Sequence, residues 1–242
     1  MLVLFTDFGP YGPYLAQMQA VLCRQAPQVP VLSLLCDAPR FNPRASAYLL
    51  AAYAGDFPTA TVFLCVVDPG VGTNRDPLMV NVDGQWFVGP GNGLFRIIMR
   101  RGKTVRARRI LWRPERLSCS FHGRDLFAPV AALLAVGREP ASEPWFDPAA
   151  DAWPDELTEV VYIDYFGNAL TGLRAASIPN DAVIEVDGRP LVRAGTFGEV
   201  AAGQAFWYEN ANGLVEIAVN RGSAAAALGI AVGTRVVTAS PA

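Results

Sequence analysis

Apolar runs and segments of helical apolar spacing alternate through the first half of the chain. Leu2–Phe5 is unbroken apolar sequence and predicts a strand. Leu15, Met18, Val21 and Leu22 recur on one face of a helix over Tyr14–Gln25. Val29–Leu35 predicts a strand, Pro43–Ala54 a helix with proline in its first turn, and Thr61–Val67 a strand apolar throughout Val62–Val67. This β-α-β-α-β order implies a mostly parallel sheet with crossover helices. Two short strands follow around the turn Val82-Asp83-Gly84-Gln85. Gly89-Pro90-Gly91-Asn92-Gly93 leads into a helix over Leu94–Arg100, and an apolar helix over Leu126–Val136 has Asp125 as its expected N-cap.

The pattern then changes. Prolines at 140, 144, 148 and 154 and a loss of periodicity mark a linker over residues 141–157. Beyond it the chain reads as strands: Glu159–Ile163, Ala182–Val186 before a second Asp-Gly turn at 187–188, Gln204–Tyr208, Val215–Val219 and Thr234–Thr238, with one short helix at Ser223–Leu228. The expected architecture is an α/β domain over 1–140 and a smaller β domain, sandwich or barrel, over 158–242.

Composition supports a folded chain with a large core, since 52% of the 242 residues are hydrophobic and only 17% charged. A net charge of −2 offers no electrostatic footprint for nucleic acid or an anionic membrane. The basic cluster Arg100, Arg101, Lys103, Arg106, Arg108 and Arg109 reads as a solvated face. Cys23, Cys36, Cys65 and Cys119 form no C-x-x-C pair, so buried free thiols in a reducing cytosol are expected, with no metal site. The N-terminal MLVLFTDFG lacks a basic region before its apolar run and reads as a strand rather than a signal peptide. No apolar stretch is long enough to span a bilayer, and a cytoplasmic location is expected.

Candidate chemistry gathers at strand ends, where open α/β sheets bind ligands. The run Val62–Val67 stops at Asp68, a glycine-rich turn follows, and Arg75 comes seven residues after the acid. Asp-Pro-Gly is also ordinary turn chemistry, so Asp68 taken alone serves either role. Asp7 follows the first strand in Thr-Asp-Phe-Gly. His122, the only histidine, sits in Phe-His-Gly-Arg-Asp ahead of the long apolar helix. An acid, an arginine and a histidine together hold and polarise one water molecule: the carboxylate accepts, the guanidinium orients the carboxylate, and the imidazole adds a donor or acceptor. In the β domain Asp164 and Asn168 stand four residues apart at a strand end, suited to an ammonium and a heterocycle edge or to a polar turn.

Six segments occur in order: TDFG, VVDPGVGTNR, GPGNG, FHGRDLFAP, IDYFGNALTG and NGLVEIAVNRGSAAAALG. Together they resemble the S-adenosylmethionine (SAM) hydroxide adenosyltransferase family, relatives of the SAM-dependent fluorinase and chlorinase, over nearly the whole chain. The resemblance implies an α/β N-terminal domain with a small β-barrel-like C-terminal domain. It implies a homotrimer with SAM bound between the N-terminal domain of one subunit and the C-terminal domain of the next. The implied reaction is hydrolysis of SAM, a substrate rather than a cofactor, to adenosine and L-methionine by attack of water on the ribose C5′. The family's water-activating triad falls on Asp68, Arg75 and His122, and its ribose acid on Asp7. Asp164 matches the acid that meets the methionine ammonium, Asn168 the amide that reads adenine, and Phe41 and Phe197 the aromatics around the nucleoside. Asn210 opens the family's Asn-Ser-x-Gly stretch and joins the substrate-binding set, but the stretch here is Asn210-Ala211-Asn212-Gly213, without the serine that would meet the methionine carboxylate. The usual Asp-Ile-Thr-His is replaced by Leu34-Leu35-Cys36-Asp37. Two other functions compete: a chlorinase-like halogenase, disfavoured because a carboxylate at the attack site repels an anionic nucleophile, and a SAM or adenosine sensor with little turnover.

Overall fold

The computed structural model describes residues 1–239; residues 240–242, the end of the expected C-terminal domain, lie outside the described residues. The chain divides into two compact units, Met1–Ala152 and a second beginning at Trp153.

The first unit is built on a seven-stranded sheet ordered β2-β1-β3-β5-β4-β6-β7. Its strands are β1 (Leu2–Thr6), β2 (Val31–Leu35), β3 (Val62–Val66), β4 (Pro77–Val82), β5 (Gln85–Pro90), β6 (Val105–Ile110) and β7 (Ser142–Pro144). β2, β1, β3 and β5 run parallel, and β4, β6 and β7 add antiparallel pairs. β1 and β3 are buried along their whole length, as unbroken apolar strands covered on both faces must be. Alternation divides their side chains. Leu2, Leu4, Leu64 and Val66 pack against α1 (Tyr14–Gln25) and α4 (Ala128–Ala135). Phe63 points the other way and stacks on Phe87 at 4.9 Å, with Phe57 and Phe95 beside them. Burial of Phe63, Phe87 and Phe95 contributes roughly 2–3 kcal/mol each. α2 (Pro43–Tyr53) and α3 (Arg96–Arg101) pack together.

Several expectations are corrected. Asp125 is not an N-cap. Residues Gly123–Phe127 form a π-helical turn in which the Ala128 N–H reaches the Gly123 carbonyl, and α4 starts only at Ala128. The cause is Pro129, whose missing N–H leaves the Asp125 carbonyl without its i→i−4 partner. The Asp125 carboxylate instead accepts from the Ser118 N–H at 2.9 Å and pairs with Arg124. Only Cys65 is fully buried; Cys36 is half-buried, and Cys23 and Cys119 are exposed. Cys23 follows inward-facing Leu22 by one helical step, which turns it outward.

The basic cluster is not simply solvated either. On β6, Arg108 donates to the Ser142 hydroxyl at 2.7 Å and its carbonyl at 2.9 Å, and Arg109 donates to Glu143 at 2.6 Å. These bonds hold β7 to the sheet edge. Arg96 donates to Asp147 at 2.7 and 3.0 Å. Residues 142–147 of the proline-rich segment are thereby fixed to the first unit.

The second unit has a four-stranded antiparallel sheet, β12-β13-β9-β8, and a three-stranded one, β11-β10-β14. The strands are β8 (Leu157–Ile163), β9 (Ala169–Arg174), β10 (Val183–Val186), β11 (Arg189–Leu191), β12 (Ala205–Glu209), β13 (Leu214–Val219) and β14 (Val237–Ala239). Single bridges, Arg193 to Trp207 and Glu159 to Arg235, link the edges of the two sheets. The unit is therefore barrel-like, without continuous ladders at the two seams. Val160, Ile184, Val186, Val215 and Ile217 fill the space between, around Trp207, whose indole N–H donates to the Ala182 carbonyl at 3.1 Å. β9 was not expected from sequence: Gly172 breaks its alternation, yet glycine is needed because a Cβ there would crowd Leu157. The short helix α5 (Ala224–Leu228) is capped by Ser223, which accepts from the Ala226 N–H at 3.1 Å.

Asn42 performs the same service for α2, accepting from the Ala45 N–H at 3.0 Å directly after Phe41. Asn42→Ala should lower stability by ~1 kcal/mol, read from the midpoint of a urea unfolding curve. An unchanged midpoint would show that Pro43 alone starts this helix.

Candidate active site

The end of β3 is held in place before its acid appears. Asn92, from the glycine-rich stretch after β5, donates to the Val67 carbonyl at 2.9 Å. Asp68 follows, and the chain turns through Gly70 and Gly72. The Val71 N–H reaches the Asp68 carbonyl and the Thr73 hydroxyl caps the Gly70 carbonyl. Gly72 has φ +79°, and a Cβ there would run into the Cys119 carbonyl, so the turn requires glycine. The turn brings Arg75 back onto Asp68. Its Nε lies 2.8 Å from Oδ1 and 2.9 Å from Oδ2, and Nη2 also meets Oδ2. The pair is nearly sealed from water, with side chains 9% and 5% exposed, and the guanidinium lies over the Phe127 ring at 5.1 Å.

Arg75 also contacts His122, with Nη2 3.0 Å from Nδ1. A guanidinium has only donors, so Nδ1 must accept. The imidazole is therefore neutral, and its proton sits on Nε2. Burial, and then the positive charge of Arg75, push the His122 pKa below its ordinary value, which agrees with that assignment.

Asp7 follows β1 in the same unit. Its Oδ2 accepts the Phe41 N–H at 3.0 Å. Phe41 has φ +56°, an unfavourable conformation for an aromatic residue, and its ring is 76% exposed. Burial raises the Asp7 pKa, the Phe41 hydrogen bond opposes the rise, and the charge of Asp68 adds to it. Asp7, Phe8, Tyr14, Asp68, Phe121 and His122 line a common cleft of about 200 Å³, which Phe41 also borders. Arg75 lies behind this wall. The fold thus gathers Asp7, Phe41, Asp68, Arg75 and His122. It adds three rings that sequence reasoning did not single out: Phe8, Tyr14 and Phe121.

Of the residues expected in the second unit, Asp164, Asn168 and Phe197 line a cavity of about 630 Å³ with Tyr208, Glu216 and Arg221. Asp164 is committed to its turn: Oδ1 accepts the N–H groups of Phe166 and Asn168 at 2.9 and 2.8 Å, and Oδ2 accepts the Asn168 side-chain amide at 3.0 Å. Asn210 does not line this cavity. Its Oδ1 accepts from the N–H groups of Asn212 and Leu214, both at 3.0 Å, and its Nδ2 donates to Glu216 at 2.9 Å. Glu216 also accepts from the Tyr208 hydroxyl. Burial raises the pKa of both groups. Glu216 left a sequence signal, a lone acid inside the apolar run Leu214–Val219. Among the described residues no group of three or more His, Cys, Asp or Glu is arranged to hold a metal ion, and no helix is long and apolar enough to cross a membrane.

Comparison with known proteins fits this division. Residues 2–143 match the SAM hydroxide adenosyltransferase N-terminal domain, and residues 158–237 match the C-terminal domain of the same name. The chain belongs to the SAM hydroxide adenosyltransferase family. Two relatives carry the name (R)-S-adenosyl-L-methionine hydrolase. The protein from Thermus thermophilus is 40% identical, with 96% of each chain covered. That from Salinispora tropica is 37% identical, covering 96% of this chain and 94% of the relative. Among solved structures, a conserved protein from Thermotoga maritima superposes with a TM-score of 0.87 at 29% identity, over 99% of this chain and 100% of that one. A conserved protein from Thermus thermophilus gives 0.78 at 36% identity, over 98% and 99%. In this family member the Asp68–Arg75 fork is buried and Arg75 also holds the histidine.

The single histidine makes its protonation state directly measurable. Its NMR titration should have a midpoint below 6.5, because protonation places a hydrogen on Nδ1 facing Arg75. The folded protein holds that proton more weakly than the unfolded chain. The stability it contributes is therefore present above pH 6.5 and is lost as pH falls below that value towards the folded midpoint. A midpoint at or above 6.5 would mean that Nδ1 is not accepting from Arg75.

Proposed function

We propose that the protein hydrolyses SAM to adenosine and L-methionine by in-line attack of water on the ribose C5′. The observation that carries this is the cleft in which Asp68 and a neutral His122 face inward while Arg75 locks both from behind. The names of the relatives support the same reaction. The water oxygen bonds to C5′ as the C5′–S bond breaks, and sulfur keeps that electron pair and leaves as the neutral thioether of methionine. The leaving group needs no proton and no cofactor is required. The water accepts a hydrogen bond from the Nε2–H of His122 and gives its proton to Asp68. Asp68 retains lone pairs for this despite the Arg75 fork. Positioning of this kind is worth ~7–11 kcal/mol of barrier in well-oriented systems.

Asp7 would accept from the ribose hydroxyls, with Phe41 beside the nucleoside. The cleft is smaller than the ~300–1,000 Å³ of a whole-ligand site. Adenine and the amino-acid group therefore need further walls, and Asp164, Asn168 and Phe197 are our candidates. A homotrimer in which the second unit of one subunit completes the cleft of the next would supply them. Asn210 we assign to holding the 210–214 turn and Glu216 rather than to substrate contact. We assign the enzyme to the cytoplasm, where its four free thiols stay reduced.

Incubation with SAM in ¹⁸O-labelled water should yield adenosine carrying the label in its 5′-hydroxyl and unlabelled methionine. Label in homoserine, with methylthioadenosine, would place the attack on the methionine side and refute the mechanism. High chloride should give no 5′-chloro-5′-deoxyadenosine: a chloride ~4 Å from the Asp68 carboxylate is repelled by at most ~4 kcal/mol at an effective dielectric of ~20, less the attraction of Arg75 behind it, and it has no proton to give Asp68 as water does. Asp68→Asn should reduce turnover by about 10²–10⁴ with SAM affinity little changed. Asp7→Ala should weaken binding more than about tenfold, as charge-assisted hydrogen bonds of ~1.5–3 kcal/mol are lost.

A further inference from the structure

The rings that border the water-holding groups have no task in the reaction just described. Phe8, Tyr14 and Phe121 meet pairwise, with centroids 5.8 Å apart for Phe8–Tyr14, 6.0 Å for Phe8–Phe121 and 5.5 Å for Tyr14–Phe121. The three planes are tilted or perpendicular to one another, so the cluster is a corner rather than a flat stack. All three line the same 200 Å³ cleft as Asp7 and Asp68. Tyr14 is 52% exposed although it begins a helix that buries Met18, Val21 and Leu22. Its ring is therefore not core packing. Phe121 already holds one cation, with the Arg124 guanidinium 4.9 Å from its centroid and neutralised by Asp125.

An aromatic corner facing two carboxylates is the chemistry that recognises a poorly hydrated, hydrogen-bond-free cation. Ring quadrupoles attract positive charge without needing a donor. A sulfonium is such a cation: it cannot donate to Asp7 or Asp68. We infer that Phe8 and Tyr14, backed by Phe121, form the site that reads the positive charge of the substrate's sulfonium, and so set the preference for a charged ligand over its neutral thioether. This inference rests on the reading of the cleft as a SAM site. It assigns to the rings a specificity role that Asp68, Arg75 and His122 do not have. Asp7 and Asp68 contribute a general negative field, whereas the rings discriminate at close range. A ring lost from the corner should therefore cost affinity for a charged ligand and leave a neutral one nearly unaffected.

The test compares SAM, which carries the hydrogen-bond-free sulfonium, with S-adenosylhomocysteine, which has a neutral thioether in its place. Dissociation constants for both are measured by calorimetry on the full chain carrying Asp68→Asn, so that SAM survives the titration. Adding Tyr14→Leu should weaken SAM binding by about tenfold and S-adenosylhomocysteine binding by less than about twofold. Tyr14→Phe, which keeps the ring, should retain the ratio of the Asp68→Asn parent. Phe8→Leu, measured beside them, should shift the ratio in the same direction and guards against a folding defect in one variant. If each leucine variant weakens both ligands equally, or neither, the rings are structural and the inference is overturned while the SAM site stands. If the Asp68→Asn parent binds neither ligand, the site reading and this inference fall together.

Discussion

A salt bridge sealed from water is the constraint on which the first unit's site depends. Burying a carboxylate and a guanidinium costs several kcal/mol per ion before their attraction is counted. Asp68 and Arg75 are buried nonetheless, with the arginine's Nε reaching both carboxylate oxygens. Stability alone is a poor reason for such a pair, since apolar residues of similar size do as well or better. Removing one partner, by contrast, leaves an uncompensated charge at a cost of ~3–5 kcal/mol. The surrounding sequence is devoted to making the pair geometrically inevitable. β3 is rigid because it is apolar on both faces, Asn92 ties down the carbonyl just past its end, and Gly72 permits a turn that any side chain would block. The histidine's tautomer then follows without further apparatus, because Arg75 presents it with a donor.

A second tension lies across the cleft. Asp7 and Asp68 line it together, and the charge of Asp68 raises the pKa of Asp7. The hydrogen bond that steadies Asp7 comes from the N–H of Phe41, a residue held in a left-handed conformation. Asp68 is already paired with Arg75, so a cationic substrate would meet mainly the field of Asp7. The same field that welcomes a cation opposes a halide.

Much of this was legible in the sequence, for reasons that lie in the pattern itself. An apolar run ending in an acid marks a strand end in a parallel sheet, and that placed Asp68 and Asp7 correctly. The distance from Asp68 to Arg75 was visible, although the glycines that close it are informative only once their turn is seen. His122 was identified by its motif, whereas its role as an acceptor from Arg75 depends on three-dimensional contact. Tyr14 escaped notice because an aromatic residue at a helix start reads as core, and only its exposure distinguishes it. Asn210 shows what a motif leaves unsaid: its position suggested substrate, and only the fold reveals that its oxygen serves a turn and its amide Glu216. Asp125 misled because capping preferences ignore what a proline four residues later removes. β7 was hidden because its edge pairing is secured by arginines from another strand, a contact invisible to local periodicity.

The two kinds of group in the cleft divide binding from rate. As the C5′–S bond breaks, sulfur loses its positive charge and the attacking water gains it. An interaction with the sulfonium is therefore strongest in the ground state and fades towards the transition state. An interaction with the water behaves in the opposite way. Only the second kind accelerates the chemical step. The aromatic corner of Phe8, Tyr14 and Phe121 belongs to the first kind and improves affinity and selectivity with no gain in turnover once substrate is bound. In the reaction we propose, Asp68, held by Arg75, would belong to the second. Strengthening the corner without limit would slow the enzyme, because every increment of ground-state attraction to the sulfonium must be given up as the bond breaks. The half-exposed Tyr14, at the margin of the cleft rather than enclosed by it, suits that compromise: enough attraction to select a cation, and not enough to trap it.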